Sequence, residues 1–355
     1  MSEREQEIFE FVNRAGWGGA TRVPLADDAG YRSYQRLIGA RGKAMLMNAP
    51  PGGDQLKSPA AAAYNAVAHL ATDCRPFVGI ANHLRGLGLS APEILAQDLA
   101  RGLLLLEDLG DDLFAQAIPD GADETQLYQA AIDVLLALHT APVAHSLTVG
   151  DGGDYLLSSY DADAQEAEIL LLSEWYAPVV TGKTLSDAAR DAYVTHWRNY
   201  FALTQPAAPV LVLRDYHAQN LFWLPQRNGI ARVGLIDFQD ALLGSPAYDL
   251  VSLLEDARRD VPPALQAQML DRYCAKAKAA NPAFDDAAFR TAYTVAGAQR
   301  NCKILGIFAR LARRDNKPVY LKLIPRVRAY LRRDLQHPAF APLNAWFATH
   351  LPLVD

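Results

Sequence analysis

The hydrophobic pattern of this chain changes period once, and that change limits what it can fold into. In the first third apolar residues alternate. Thr21, Val23 and Leu25 lie on one side of an extended segment, followed by a turn signal at Asp27-Asp28-Ala29-Gly30. Residues 34–38 and 44–47 read as a hairpin turning through Gly39, Ala40, Arg41 and Gly42. Residues 91–96 and 102–108 read as two further strands, with helices at 3–15, 59–70 and 77–87. Beyond 105–112 the period becomes helical, over 123–139, 161–176, 185–203, 247–259, 262–279, 284–313 and 317–334. The exception is 210–238, where short apolar strands flank polar residues. The pattern predicts an α+β chain of two lobes: a small β-rich N-lobe over 1–107 and a larger, mainly helical C-lobe over 108–355.

Composition narrows the function classes. Of 355 residues 50% are apolar and 21% charged, as in ordinary globular proteins. The net charge of −6 argues against a nucleic-acid partner. Cys74, Cys274 and Cys302 are far apart and form no C-x-x-C pair, which argues against disulfides and structural zinc. The charged N-terminus has no apolar core of a signal peptide, and the apolar run at 103–106 is too short to span a membrane. The expected location is the cytoplasm, with no membrane partner.

Chemistry concentrates at 210–240. An apolar strand runs into Arg214-Asp215-Tyr216-His217-Ala218-Gln219-Asn220, and a second strand follows at 221–224. After a turn comes a third strand, ending in Asp237-Phe238-Gln239-Asp240. Two carboxylates, Asp215 and Asp237, thus stand at strand ends with Asn220 between them. Phosphoryl transfer asks for such a set. One carboxylate orients a hydroxyl and takes its proton, while a second carboxylate and an amide oxygen offer Mg²⁺ hard ligands. Asp215 alone reads equally well as a turn residue; its company favours the catalytic reading.

The stretch 214–220 resembles the catalytic loop of the aminoglycoside phosphotransferase and choline kinase superfamily. Residues 235–240 resemble its metal segment, 244–250 its G-x-P-x-x-D-L turn, and 135–140 its L-x-x-L-H helix. Residues 104–110, 214–217, 235–241, 248–260 and 299–308 are further similar to the bacterial cell-wall-recycling kinases. Those phosphorylate the anomeric hydroxyl of N-acetylmuramic acid and N-acetylglucosamine. The resemblance implies a protein-kinase-like fold, ATP and Mg²⁺ as cofactors and an amino-sugar substrate. It implies Asp215 as base, Asn220 and Asp237 as Mg²⁺ ligands, and a nucleotide-binding N-lobe. The adenine would meet the crossover at 106–109, including Glu107 and Leu109. Residues 28–33, with Gly30, Arg32 and Ser33, would form the phosphate loop.

The kinase pattern also expects a strand lysine paired with a helix glutamate. Here Lys43 opens its strand, Met47 occupies the lysine's place, and the helix at 58–70 has no acid. Arg32, Arg36 or Lys43 is expected to reach the phosphates instead. Sugar contact is expected from among Tyr216, His217, Asp240, Arg258 and Arg300, since planar polar and aromatic groups recognise sugars. The competing reading of Asp240, Glu255, Asp256 and Arg258 is a solvated helix face with charge pairs. His139 reads as structural, bonding backbone near the catalytic loop, and Asp249 as a brace on a neighbouring loop. The aromatics Trp175, Tyr176, Trp197, Tyr200 and Phe201 read as core. A monomer is expected. Two alternatives stay open: a kinase of aminoglycoside, choline or another small alcohol, and a nucleotide-binding scaffold without turnover.

Overall fold

The computed structural model describes residues 2–25, 31–52, 58–150, 153–206 and 208–353. It is a two-lobed α+β fold with a small sheet-bearing N-lobe and a larger helical C-lobe. Five antiparallel strands form the main sheet: β1 (Thr21–Pro24), β2 (Ser33–Gly39), β3 (Gly42–Asn48), β4 (Ile94–Asp98) and β5 (Leu103–Glu107), ordered β1-β2-β3-β5-β4. Register follows from the tight turn at 39–42, which pairs Gly39 with Gly42 and Ser33 with Asn48. One sheet face is covered by the helix Glu3–Arg14, whose Ile8, Phe11 and Val12 pack with Leu37, Ala44, Leu46, Leu103 and Leu105. These sheet residues recur at every second position, as one buried face requires.

The chain packs as two compact units. One unit holds Met1–Val134, Ala141–Ser158 and Gln219–Ala241; the other holds Leu135–Thr140, Ser159–Ala218 and Leu242–Asp355. Within the first unit a small hairpin, β6 (Ser146–Thr148) and β7 (Asp154–Leu156), packs on the helix Arg75–Gly86. Both strands went unread in the sequence because three-residue runs carry too little periodicity.

The second unit is built on β8 (Val210–Val212), and the first also holds β9 (Leu221–Trp223) and β10 (Val233–Leu235). β11 (Leu242–Gly244) pairs antiparallel with β8, while β9 pairs with β10. The helix Asp286–Arg313 runs through the second unit and packs against the helices Ala162–Leu171, Ala247–Leu254 and Ile324–Asp334. Two expected helices are cut. The segment at 247–259 leaves the helix after Leu254, and 317–334 begins as a 3₁₀ turn, Pro318–Leu323. Pro325 falls in the first turn of the α-helix, where its missing N–H has no intrahelical partner to lose. Tyr176, Trp197, Tyr200 and Phe201 are buried as core, with Trp175 half-buried. The three cysteines are buried. Among the described residues no helix is long and apolar enough to cross a membrane.

Gly306 marks the closest helix approach. A Cβ there would run into the backbone carbonyl of Leu171. Glycine to alanine inside a helix ordinarily stabilises by about 1 kcal/mol. Here Gly306→Ala is expected to destabilise instead, by about 1–3 kcal/mol, because the helices must part. Urea denaturation of both proteins checks the sign.

Candidate active site

The candidate residues fall into two groups, one in each compact unit. In the first, antiparallel pairing of β9 with β10 sets Leu221 against Leu235. Asn220 and Ile236 therefore sit at the same end of the hairpin, and Ile236 N donates to Asn220 O at 3.2 Å. One residue on, Asp237 takes a left-handed backbone with φ +60, sparsely populated by residues other than glycine. Phe238 stabilises that bend by stacking on Phe77, ring centroids 4.8 Å apart.

Three side chains meet the Asp237 carboxylate. Asn220 Nδ2 lies 3.5 Å from Oδ2, while Gln239 Nε2 at 2.9 Å and Arg32 Nη2 at 3.0 Å donate to Oδ1. Arg32 is mostly buried; burial works against its charge, but Tyr34, Asp237 and Asp240 more than offset that and hold its pKa up. Asp240 accepts from Ala71 N at 2.6 Å. A carboxylate and a side-chain amide oxygen are the donors a small hard cation takes, alongside phosphate and water oxygens. Asn220 and Asp237 together fit such an ion. Gln239 was not anticipated, although it lies inside the quoted motif.

Of the three basic candidates, Arg36 is committed elsewhere. It pairs with Asp108 at 2.7 Å and Asp111 at 2.7 Å and donates to Gly110 O at 3.0 Å, locking the turn after β5. Lys43 is exposed at the far end of the β2–β3 hairpin, paired with Ile38. The structure does not bring it to Asp237. Met47 is buried opposite Tyr34. Ser33 Oγ accepts from Asn48 Nδ2 at 3.1 Å. Glu107 pairs with Arg227, and Leu109 packs on Gly234 of β10, where a Cβ would come within 3.0 Å of the Leu109 side chain. Gly30 and the turn at 27–30 lie outside the described residues.

The second group surrounds the loop after β8. Arg214 has φ +68. Asp249, fully buried, accepts from Leu213 N at 2.7 Å and Arg214 N at 2.9 Å, bracing the loop as expected. Burial pushes its carboxyl up to about 7, against the pull of those two donors. The Arg214 guanidinium is held by Glu168, which also pairs with Lys303 at 2.7 Å and accepts from Gln299 Nε2 at 2.9 Å and from the Tyr160 hydroxyl. Glu168 and Lys303 carry no signal in the sequence: Glu168 is 46 residues from Arg214, and Lys303 lies on the distant helix Asp286–Arg313.

Asp215 is half-buried within this positive field. Desolvation raises its pKa, but the cations Lys303, Arg300 and Arg214 outweigh it and hold the carboxyl below its usual range. His217 is pushed down to about 4, first by burial and then by Arg258 and Arg300, so it is neutral at pH 7. Its Nε2 accepts from Arg258 Nη1 at 3.2 Å. Arg300 is buried, and its Nη1 has no hydrogen-bond partner among the described residues. Tyr216 is buried. Thus His217, Arg258 and Arg300 gather near Asp215, while Asp240 stands with Asp237.

Two expectations are corrected. Glu255 and Asp256 are not on a solvated face. The chain leaves the helix there and turns both carboxylates inward. Glu255 pairs with Arg333 at 2.6 Å, and Asp256 accepts from Ala218 N at 3.3 Å and Arg258 N at 2.8 Å. His139 bonds not loop backbone but the Tyr273 hydroxyl, at 2.9 Å; burial lowers its pKa to about 3, so it is neutral.

With this geometry in hand, comparison with known proteins is informative. A family profile described as "Phosphotransferase enzyme family" matches residues 21–288. The N-acetylmuramate/N-acetylglucosamine kinase of Caulobacter vibrioides is 44% identical over 361 residues, covering 99% of this chain and 98% of that one. The protein of the same name from Pseudomonas aeruginosa is 35% identical, covering 94% and 90%. Among solved structures, choline kinase LicA from Streptococcus pneumoniae aligns with TM-score 0.61 at 13% identity, over 94% of this chain and 100% of that one. That likeness speaks for the fold.

Glu168 offers a test of the charge cluster. Although burial opposes it, Lys303 and Arg214 pull its pKa from 4.5 down to about 2. A depressed folded-state pKa contributes stability that is present above about 4.5 and lost as pH falls toward 2. Glu168→Gln is expected to cost about 3–5 kcal/mol near pH 7, since it removes the carboxylate charge that Arg214 and Lys303 both meet. It should also flatten the acid limb by up to about one proton. Urea midpoints between pH 2 and 7 measure both.

Proposed function

The chain belongs to the phosphotransferase enzyme family, and from that premise we propose that it moves the γ-phosphoryl group of ATP to the anomeric C1 hydroxyl of N-acetylmuramate and N-acetylglucosamine. Kinase chemistry on a small acceptor is the family's activity; the sugar is the name its relatives carry. The observation that carries the reading is the half-buried Asp215 carboxylate, kept ionised by the cations Lys303, Arg300 and Arg214. An ionised, desolvated carboxylate can accept a hydrogen bond from a sugar hydroxyl and orient it for attack. Held below its usual pKa it is a weak base, so it takes the proton late, as the new bond to phosphorus forms.

Asn220 and Asp237 would hold Mg²⁺, which when bound neutralises charge on the triphosphate. Arg32 is the basic residue we assign to the phosphates in place of the missing strand lysine, since Arg36 is tied to Asp108 and Lys43 is exposed. Glu107, Leu109, Ser33 and Gly30 remain the proposed nucleotide contacts. Tyr216, His217, Asp240, Arg258 and Arg300 are the proposed sugar contacts. Arg300 suits the carboxylate of N-acetylmuramate, because a buried guanidinium with an open N–H favours an anionic acceptor. The same arginines disfavour a cationic aminoglycoside or choline. The cytoplasm, where ATP is plentiful, is the proposed location.

Phosphorus NMR of protein, ATP, Mg²⁺ and each sugar tests the reaction. The expected product is a sugar 1-phosphate, with Asp215→Asn slower by about 10²–10⁴-fold in kcat. Absence of product from both sugars while ATP still binds would sink the amino-sugar reading. Lys303→Met removes the foremost charge holding Asp215 down. The acid limb of kcat should then move to higher pH, and an unmoved limb would mean Asp215 does not set it. Arg300→Met should lower kcat/KM for N-acetylmuramate by about tenfold or more, and for N-acetylglucosamine much less.

A further inference from the structure

The segment between the helices Ala247–Leu254 and Pro263–Ala280 has no regular secondary structure, yet Glu255, Asp256, Ala257 and Val261 within it are buried. Buried irregular backbone needs partners from elsewhere in the fold. One side of this segment serves the catalytic loop. Asp256 accepts from Ala218 N with one carboxylate oxygen and from Arg258 N with the other, and Arg258 Nη1 donates to His217 Nε2 at 3.2 Å. The places of Arg258 and of the His217 ring therefore follow from where the segment lies.

On its other side one helix grips it. Arg326 and Arg333 of the helix Ile324–Asp334 stand about two turns apart and so share a face. Arg326 donates to Ala257 O at 3.2 Å and makes two hydrogen bonds to Asp260. Arg333 Nη2 donates to Glu255 at 2.6 Å. Its Nη1 donates to Gln266 Oε1 at 2.6 Å, and Gln266 Nε2 donates in turn to Val261 O at 2.9 Å. Asn301 Nδ2 closes the buried end, 2.8 Å from Glu255 and 3.0 Å from Asp334. The two arginines thus hold the segment near both its ends and in its middle. The Arg333 side chain is 45% exposed, but the Glu255 side chain is fully buried, so this contact is stronger than an ordinary surface ion pair.

We propose that Arg326 and Arg333 are positioning residues for the acceptor sugar, acting through the 255–261 segment to hold Arg258 against His217. The inference rests on the reading of His217 and Arg258 as sugar contacts. Arginine has no acceptor atom, so His217 Nε2 accepts, and the proton of the neutral ring sits on Nδ1. Nδ1–H and the guanidinium then form one fixed set of donors, suited to the hydroxyl or carboxylate oxygens of a sugar acid. When the segment slackens, Arg258 leaves Nε2 and the ring is released to carry its proton there. The set is lost, and the loss falls on the sugar and not on the nucleotide.

The test has two readouts on the full chain. The first needs no substrate: long-range nitrogen–proton NMR of the imidazoles near neutral pH, with the His217 signals identified by their loss in His217→Gln. The parent is expected to show the Nδ1–H tautomer. Arg333→Met, Arg326→Met and Arg258→Met should each shift His217 toward Nε2–H, and Arg258→Met combined with Arg333→Met should go no further than Arg258→Met alone, as two links of one chain require. The second readout is steady-state phosphorylation. KM for the sugar should rise about three- to tenfold in Arg333→Met and in Arg326→Met, with KM for ATP within about twofold of the parent. The Asp260 partner of Arg326 is exposed, so Arg326→Met carries both readouts if Arg333→Met fails to fold. A His217 tautomer unmoved in the arginine variants overturns the proposal. So does a KM for ATP that rises as much as that for the sugar, which would mark general loosening. A parent inactive on both sugars counts against the amino-sugar reading instead, and the imidazole signals then decide whether the helix positions His217.

Discussion

The geometry around Asp215 depends on one residue held in an unfavourable backbone state. Arg214 has φ +68, and a side chain as large as arginine resists that region. It is held from two directions. Asp249 takes the backbone N–H groups of Leu213 and Arg214, and Ser252 Oγ donates to the Arg214 carbonyl at 3.2 Å. Glu168 takes the guanidinium, with the ring of Tyr160 beneath it, 5.7 Å from centroid to Cζ. Without these anchors the strain would relax by turning the peptide, and the next residue is Asp215. The buried carboxylates Asp249 and Glu168 are costly alone; the loop backbone satisfies Asp249, while Arg214, Lys303, Gln299 and Tyr160 together satisfy Glu168.

Positive charge is distributed by the same logic. Lys303 bonds Glu168 and the Tyr248 hydroxyl at 3.1 Å, so its charge stays fixed near Asp215. Glu168 meets both Arg214 and Lys303, and both cations also act on Asp215. In the other unit Arg36 is consumed by the turn at 108–111, whereas Arg32 rests on Asp237. A guanidinium against the proposed metal ligand balances its charge and lies beside the oxygens that a cation would take.

How much of this could be read in advance varied with the range of the interaction. The β2–β3 hairpin was legible because four residues, 39–42, determine its turn. Asp215, Asn220 and Asp237 were legible because short strands flank them at narrow spacing. The helix expected over 247–259 was overextended: its periodicity continues through Glu255 and Asp256, but the buried donors Asn301 Nδ2 and Ala218 N draw those carboxylates inward. No local rule announces that competition. Arg36 and Arg32 looked alike in sequence, and only their partners, Asp108 and Asp237, separate them.

The sequence by itself determined the fold class, the order of strands and helices, and the residue types able to serve phosphoryl transfer, because these rest on periodicity and on spacings of a few residues. Tertiary structure alone decided which cation meets which carboxylate. Glu168 with Arg214 and Lys303, Arg32 with Asp237, and Arg333 with Glu255 join residues 46 to 205 positions apart. Their energies depend on burial and on distances of about 3 Å, quantities that exist only once the chain has packed.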